Sequence, residues 1–198
     1  VADNYSDFVV GYLALLNKKN TINIIVDSSF SVEFIDKIIK SFKPNYIYSS
    51  KLEKHLDKQF QKIRTYNSFS LYCTNLPPHK NLNYKNFLLL TTSGTTESPK
   101  LVRLSKKNLI NNINNISNNL KIKKNHTTIT TMPLGYSYGL SILNTHLYKG
   151  AKIVINKLNI LEKKFWEKIE KNKVNSFGGV PEFYEFLKKI GFKKKKIS

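Results

Sequence analysis

The residues best suited to chemistry lie in one stretch, Leu90–Val102, which reads LTTSGTTESPKLV. Thr91, Thr92, Ser93, Gly94, Thr95, Thr96, Ser98 and Lys100 crowd polar groups into a short loop. Apolar runs flank it, Phe87–Leu90 before and Leu101, Val102 and Leu104 after. Both flanks read as strands, so the loop is the turn of a hairpin. Gly94 permits a backbone conformation that a side chain forbids. Consecutive N–H groups and hydroxyls can then converge on one anion, and Lys100 adds a positive charge. That combination suits phosphate. The plainer reading is a Ser/Thr-rich surface turn, because these residue types are common in turns.

The loop does not follow the P-loop pattern of Gly, four residues, then Gly-Lys-Ser/Thr opening a helix. Pro99 precedes the lysine here and a strand-like LVRL follows it.

The elements that must hold this loop are legible in outline. Asp7–Asn17 has apolar residues at near-helical spacing after a candidate cap, Ser6. Ile22–Val26 reads as a strand, and Ser31–Phe42 as a helix stopped by Pro44. Tyr46–Tyr48 reads as a strand, Leu52–Phe60 as a short helix, and Arg64–Cys73 as one or two strands. This alternation predicts parallel strands joined by crossover helices. Asn75–Asn86 holds Pro77 and Pro78 with little apolar pattern and reads as a loop at a subdomain boundary. We therefore expect a first α/β subdomain over residues 1–84 and a phosphate-loop-containing one over 85–198.

After the loop, Ser105 caps a predicted helix from Lys106 to about Leu120, with Leu109, Ile110, Ile113 and Ile116 on one face. Thr127–Met132 is a predicted strand, and a helix through Leu140, Ile142, Leu143 and Leu147 follows it. Gly150–Ile155 is a turn and a strand. Phe165–Glu170 lies on the next helix, with Trp166 as its core anchor. Val174–Gly179 is a final strand and Pro181–Ile190 a final helix. The expected fold class is α/β, a doubly wound, mostly parallel sheet with flanking helices.

Two further stretches have candidate site residues. MPLGYSYG places Tyr136, Tyr138 and Gly139 at a strand-to-helix turn. FGGVPEFYEFL ends a strand with Phe177, Gly178, Gly179 and Val180 and opens a helix at Pro181, which suits a first helical position. Gly178 and Gly179 let a ligand approach the backbone closely. Tight turns with aromatic filling are the plainer readings. None of the histidines, His55, His79, His126 and His146, is at metal-ligand spacing from Cys or acidic residues. The single cysteine, Cys73, excludes an internal disulfide, fits a reducing, cytoplasmic compartment and reads as a buried strand residue.

The chain has 198 residues, a hydrophobic content of 40% and a formal net charge of +20. That length and composition suit a domain with a real core. A strongly basic domain suggests nucleic acid or an anionic membrane. Yet Arg64 and Arg103 are the only arginines, and sequence-reading proteins lean on arginine's planar fork. The scattered lysines read as a solvated surface, and Lys193–Lys196 as a solvated tail. No stretch is long and apolar enough to span a membrane.

TSGTTESPKLV resembles the phosphate-binding signature of the adenylate-forming (acyl-activating, AMP-binding) superfamily, T-S-G-[ST]-T-G-x-P-K-G-V. Thr92, Ser93, Gly94, Thr95, Thr96, Pro99, Lys100 and Val102 match position by position. Glu97 and Leu101 stand where the family usually has glycine. MPLGYSYG resembles a second landmark, P-L-F-H-x-x-G, with Tyr136 at the place of a frequent histidine, and FGGVPEFYEFL a third, G-V-P. The resemblance is of the acyl-CoA synthetase or peptide-synthetase adenylation type. It implies an ATP-dependent ligase that joins a small-molecule carboxylate to AMP, releases pyrophosphate, and passes the acyl group to coenzyme A, a carrier-protein thiol or an amine.

It further implies that Thr92–Thr96 and Lys100 hold ATP phosphates, with Lys100 in the catalytic role and Thr95 or Thr96 reaching magnesium. Tyr136, Tyr138, Gly139, Phe177, Gly178, Gly179, Val180 and Pro181 would border the acyl pocket. Family segments Y-G-x-T-E and T-G-D are not found after Pro181, so we expect an N-terminal piece of the enzyme that is inactive alone. The rivals are a non-catalytic scaffold of the same fold and a basic nucleic-acid-binding module. The enzyme reading predicts that any DNA or RNA binding is weak, sequence-independent and lost at moderate salt. Tight, sequence-preferring binding at physiological salt, measured by titration, overturns it.

Overall fold

A computed structural model of the chain describes residues 1–77, 87–91, 100–189 and 191–192. In chain order its elements are α1 (Ser6–Asn17), β1 (Asn23–Ile25), α2 (Val32–Phe42), β2 (Tyr46–Ser49), α3 (Glu53–Leu56), β3 (Gln61–Tyr66), β4 (Phe69–Cys73), β5 (Leu88–Thr91), β6 (Leu101–Leu104), α4 (Lys106–Asn119), β7 (Thr127–Ile129), α5 (Ser137–Tyr148), β8 (Lys152–Val154), α6 (Lys163–Lys171) and α7 (Pro181–Lys189). The fold is mixed α/β, sheets with flanking helices. Two compact units divide it, Val1–Asn111 with Leu134–Ser137, and Asn112–Pro133 with Tyr138–Ser198. The expected boundary at 84/85 lies outside the described residues.

In the first unit, α2 forms where its caps and apolar spacing agree. The Ser31 hydroxyl accepts from the Phe34 N–H at 3.2 Å, and Lys43 ends the helix in the left-handed region at φ 43°. Ile35, Ile38 and Ile39 pack on Val26, Ile47, Leu52, Leu56 and Tyr72. At α1 the expected cap differs. Ser6 is the first helical residue and Tyr5 holds the cap position without a side-chain bond. The Ser6 hydroxyl is drawn instead to the Asp7 carboxylate. That carboxylate is buried, and it takes bonds from Asn67 Nδ2 and Ser68 Oγ, each at 3.0 Å. Those hydrogen bonds, Asn67's first, hold Asp7 below the usual carboxylate range.

Strand pairing differs from simple alternation. β1 pairs parallel with β5, and β2 pairs antiparallel with β4. The cause is local. β3 and β4 form a hairpin across Asn67 and Ser68, with Asn67 left-handed at φ 48°. β4 then presents its free edge to β2, giving the order β2-β4-β3 beside a second sheet, β1-β5-β6. The helix expected over Leu52–Phe60 is the single turn α3, closed where the Gln59 and Phe60 N–H groups both donate to the Leu56 carbonyl. Cys73 is on β4 but half-buried, its thiol donating to Asn75 Oδ1 at 3.2 Å.

α4, whose residues up to Asn111 belong to the first unit and the rest to the second, starts at a reciprocal cap. Asn108 N–H donates to Ser105 Oγ at 3.1 Å, and Ser105 N–H to Asn108 Oδ1 at 3.0 Å. In the second unit, β7 and β8 pair in parallel. The expected strand Val174–Gly179 is an extended run with one bridge, Thr128 to Ser176. There a side chain replaces a ladder group, because the Thr127 N–H donates to Asn175 Oδ1 at 3.0 Å. Phe165, not Trp166, is the buried anchor of α6, packed with Ile129, Val154, Ile169 and Val174. Trp166 lies beside that cluster and donates Nε1–H to the Ile160 carbonyl at 2.9 Å.

His146 is buried in α5, its Nδ1–H donating to the Ile142 carbonyl at 2.8 Å. Burial is the main cause that holds its pKa below the ordinary imidazole value. The unfolded chain therefore binds a proton that the folded chain refuses, and stability falls as pH drops below that value. In His146→Gln the loss of urea midpoint between pH 7.5 and 5.5 should be smaller than in the parent. Equal losses would show that His146 does not couple folding to pH.

Candidate functional site

The phosphate-loop candidates hang from a strand pair. β5 is buried along its whole length, Leu88, Leu89, Leu90 and Thr91, as a four-residue apolar run predicts for a central strand. It pairs antiparallel with β6, Leu88 opposite Leu104 and Thr91 opposite Leu101. Thr91 Oγ1 also donates to the Ile25 carbonyl of β1 at 3.4 Å. The expected candidates Thr92, Ser93, Gly94, Thr95 and Thr96, with Glu97, lie outside the described residues. Lys100 is exposed and immediately precedes β6. β5 and β6 are thus adjacent antiparallel strands, the arrangement expected of the two runs that flank the loop.

Tyr136 belongs to the first unit. It is half-buried and follows Leu134, which is fully buried and donates its N–H to Asn4 Oδ1 at 2.9 Å.

The other pocket candidates gather inside the second unit. Tyr138 and Gly139 lie in the first turn of α5. The Tyr138 hydroxyl reaches the Gly179 carbonyl at 3.5 Å. Gly139 is buried, and a Cβ there would overlap the Pro133 carbonyl, so only glycine lets α5 start against that turn. At Gly178 a Cβ would come within 2.7 Å of Ile142 Cδ1 and 2.9 Å of the Tyr138 hydroxyl. Phe177 sets its ring edge-on to Phe183, with centroids 5.7 Å apart. Pro181 is the first residue of α7, and Val180 just before it is 37% exposed. Tyr138, Phe177, Gly178 and Gly179 are thus neighbours, walled by Ile142 and Phe183.

Sequence reasoning missed three of these contributors. Thr131 Oγ1 donates to the Gly178 carbonyl and fixes the glycine run beside β7. Ile142 and Phe183 fill the space that the glycines leave. Phe183 could have been found, two residues after Pro181 on the face of α7 that returns toward Gly179. Thr131 gave no sequence signal beyond preceding the M-P-L-G motif. Among the described residues, no group of three His, Cys, Asp or Glu could hold a metal ion. The metal candidates Thr95 and Thr96 are outside them.

The chain matches the family described as AMP-binding enzyme over residues 1–198. It is 34% identical over 96 residues to oxalate–CoA ligase from Saccharomyces cerevisiae (strain ATCC 204508 / S288c), a match covering 48% of this chain and 17% of that protein. Among solved structures it is similar to O-succinylbenzoate coenzyme A synthetase from Bacillus subtilis, in complex with ATP and magnesium ion. That likeness has a TM-score of 0.67 at 16% identity, over 89% of this chain and 48% of that one, and it is a likeness of fold. The chain thus spans a minor part of the curated relative and about half of the solved chain.

The packing at Gly178 yields a test. Gly178→Ala should cost about 1–3 kcal/mol, the usual penalty for overpacking. In an Ile142→Val background, which removes the Cδ1 nearest the new methyl, the cost should shrink. Denaturant unfolding measures both; an unchanged cost would mean that Ile142 does not set the space at Gly178.

Proposed function

The chain belongs to the AMP-binding enzyme family, and from that membership we propose that it is part of an ATP-dependent carboxylate ligase. The observation that carries the reading is the TSGTTESPK loop, set between two paired strands in a chain that matches the family throughout. In the proposed reaction a carboxylate oxygen attacks the α-phosphorus of ATP, the bond to the β-phosphate oxygen breaks, and pyrophosphate leaves. The thiol of coenzyme A or a carrier protein, or an amine, then attacks the acyl carbon, the bond from that carbon to the phosphate oxygen breaks, and AMP leaves.

In this reading Thr92, Ser93, Gly94, Thr95 and Thr96 offer N–H and hydroxyl donors to the leaving phosphates, and Lys100 offsets their charge. Catalysis is then positioning plus charge neutralisation. Magnesium, reached through Thr95 or Thr96, would neutralise further phosphate charge. Tyr136 stands where the family's motif often has histidine; its hydroxyl can donate to a carboxylate. Tyr138, Gly139, Phe177, Gly178, Gly179, Val180 and Pro181 would border the acyl group, and the rings among them suit an apolar or aromatic acid.

Carboxylate-dependent pyrophosphate exchange by the whole protein, screened over acids, tests the reading. Lys100→Ala should lower exchange by about 10²-fold or more, the scale of losing one preorganised donor to a developing charge, with the far-UV spectrum unchanged. Unchanged exchange removes Lys100 from the site.

A further inference from the structure

The second unit passes from helix to extended chain three times, and each helix ends in the same way. After α4, Lys121 is left-handed at φ 51°, its N–H donates to the Asn118 carbonyl at 3.1 Å, and the Ile122 N–H donates to the Ser117 carbonyl at 2.9 Å. After α5, Gly150 is left-handed at φ 67°, its N–H donates to the Leu147 carbonyl at 3.0 Å, and the Ala151 N–H donates to the His146 carbonyl at 2.9 Å. After α6, Lys173 is left-handed at φ 51°, and the Val174 N–H donates to the Ile169 carbonyl at 3.0 Å. This closure buries the residue after the left-handed one, Ile122, Ala151 and Val174 in turn. Those residues lead toward β7, β8 and the extended run 174–179, which are parallel. The three turns therefore gather at one end of the unit. The Tyr138 hydroxyl meets Gly179 at the other end, where that run finishes.

The first two turns are direct neighbours. Lys149 Nζ donates to Asn118 Oδ1 at 3.2 Å, a Cβ on Gly150 would sit 3.7 Å from Lys124 Cγ, and the Lys152 N–H donates to the His126 carbonyl at 3.0 Å. Lys121, Lys123, Lys124 and Lys152 are exposed, and Lys149 is half-buried. No Asp or Glu occurs between Glu97 and Glu162, so neither turn has an acid of its own. The third turn adds Lys171 and Lys173 beside Glu170. Lysines near helix C-termini complement the helix dipoles. That role does not account for the apolar side chains among them. Leu120, at the end of α4, is 67% exposed. Tyr148, the last residue of α5, is 57% exposed, with Lys149 Nζ 5.8 Å from its ring centroid.

We propose that this end of the second unit is a docking face for an anionic lipid bilayer. Leu120 and Tyr148 enter the headgroup region, and the lysines around them meet lipid phosphates and carboxylates. An anionic leaflet attracts each nearby lysine through its surface potential. The long lysine stem lies along apolar surface while its ammonium stays at headgroup level. A leucine and a tyrosine held out on closed helix ends suit the boundary between headgroups and acyl chains, where a ring with one polar end is favoured. A nucleic acid would use the lysines and could stack on Tyr148, but it has no use for Leu120. The turns are rigid in the sense that matters here, because the two backbone bonds at each helix end fix which residue is buried and which projects.

Vesicle flotation tests this, with phosphatidylcholine alone and with phosphatidylcholine containing about one-third phosphatidylserine. The parent chain should float with the mixed vesicles only. A basic chain is drawn to any anionic surface, so three variants with the parent's far-UV spectrum separate this face from charge in general. Leu120→Ser with Tyr148→Ser keeps the net charge and should lower the partition coefficient about tenfold. Lys121→Gln with Lys124→Gln should lower it about tenfold or more. Lys163→Gln with Lys164→Gln removes the same charge at the start of α6, away from the three turns, and should change it less than about twofold. No flotation of the parent, equal losses from the two lysine pairs, or no loss from the serine pair overturns the proposal. So does capture of single-stranded RNA at physiological salt by a chain that leaves the mixed vesicles unbound, which would make the face a nucleic-acid surface.

Discussion

The first unit depends on the placement of β5 between two neighbours of opposite sense. Leu88, Leu89 and Leu90 are 0%, 8% and 6% exposed, and each such side chain contributes about 1.5–3 kcal/mol on burial. On one side the ladder to β1 is parallel, and on the other the ladder to β6 is antiparallel. A parallel neighbour must be reached by a long crossover, whereas an antiparallel one needs only a short turn. The change of sense at β5 lets β6 be its neighbour without a crossover helix. The Thr91–Leu101 pair closes that ladder, held from the β1 side by the Thr91 hydroxyl.

What was legible in the sequence follows from how much each signal depends on distant partners. α2 and α4 were legible because Ser31, Pro44 and Ser105 act within a few residues of themselves. β5 and β6 were legible because a fully apolar run bounded by turn residues has few alternatives. The partner of β2 was not legible. Tyr46–Ser49 is four residues long, and nothing in so short a run distinguishes a parallel neighbour from an antiparallel one. Only the Asn67–Ser68 hairpin, which offers β4 at hand, decides it. The cluster of Tyr138, Phe177, Gly178 and Gly179 was legible as a set of residue types at two turns. Their mutual contact was not, because it is made by Ile142, Phe183 and Thr131, ordinary residues on three other segments.

The second unit shows a recurrent way of ending short strands. β7 and β8 have three residues each, and side chains continue what the backbone ladder leaves off. Asn175 Oδ1 takes the Thr127 N–H. Thr130 Oγ1 accepts from the Asn156 N–H at 2.8 Å and lies 3.3 Å from the Asn156 carbonyl. Thr131 takes over at Gly178. The bonds of Thr130 and Thr131 satisfy polar groups that burial would otherwise penalise. Asn and Thr here thus have structural as well as surface roles.

Charge sets a last constraint on how such a chain recognises anything. Its net charge is +20, and two of its carboxylates, Asp7 and Asp27, are buried and satisfy backbone and side-chain donors. They do little to offset the basic surface. ATP, coenzyme A and carboxylic acids, the partners of the proposed reaction, are all anions, so the surface field draws every one of them alike. Attraction of that kind raises encounter rates, is screened within about 8 Å at physiological salt, and cannot tell one anion from another. Discrimination must come from donors fixed at short range, where screening is weak and geometry counts. In the proposed reaction that burden would fall on the segment between β5 and β6 and on the apolar wall around Phe177.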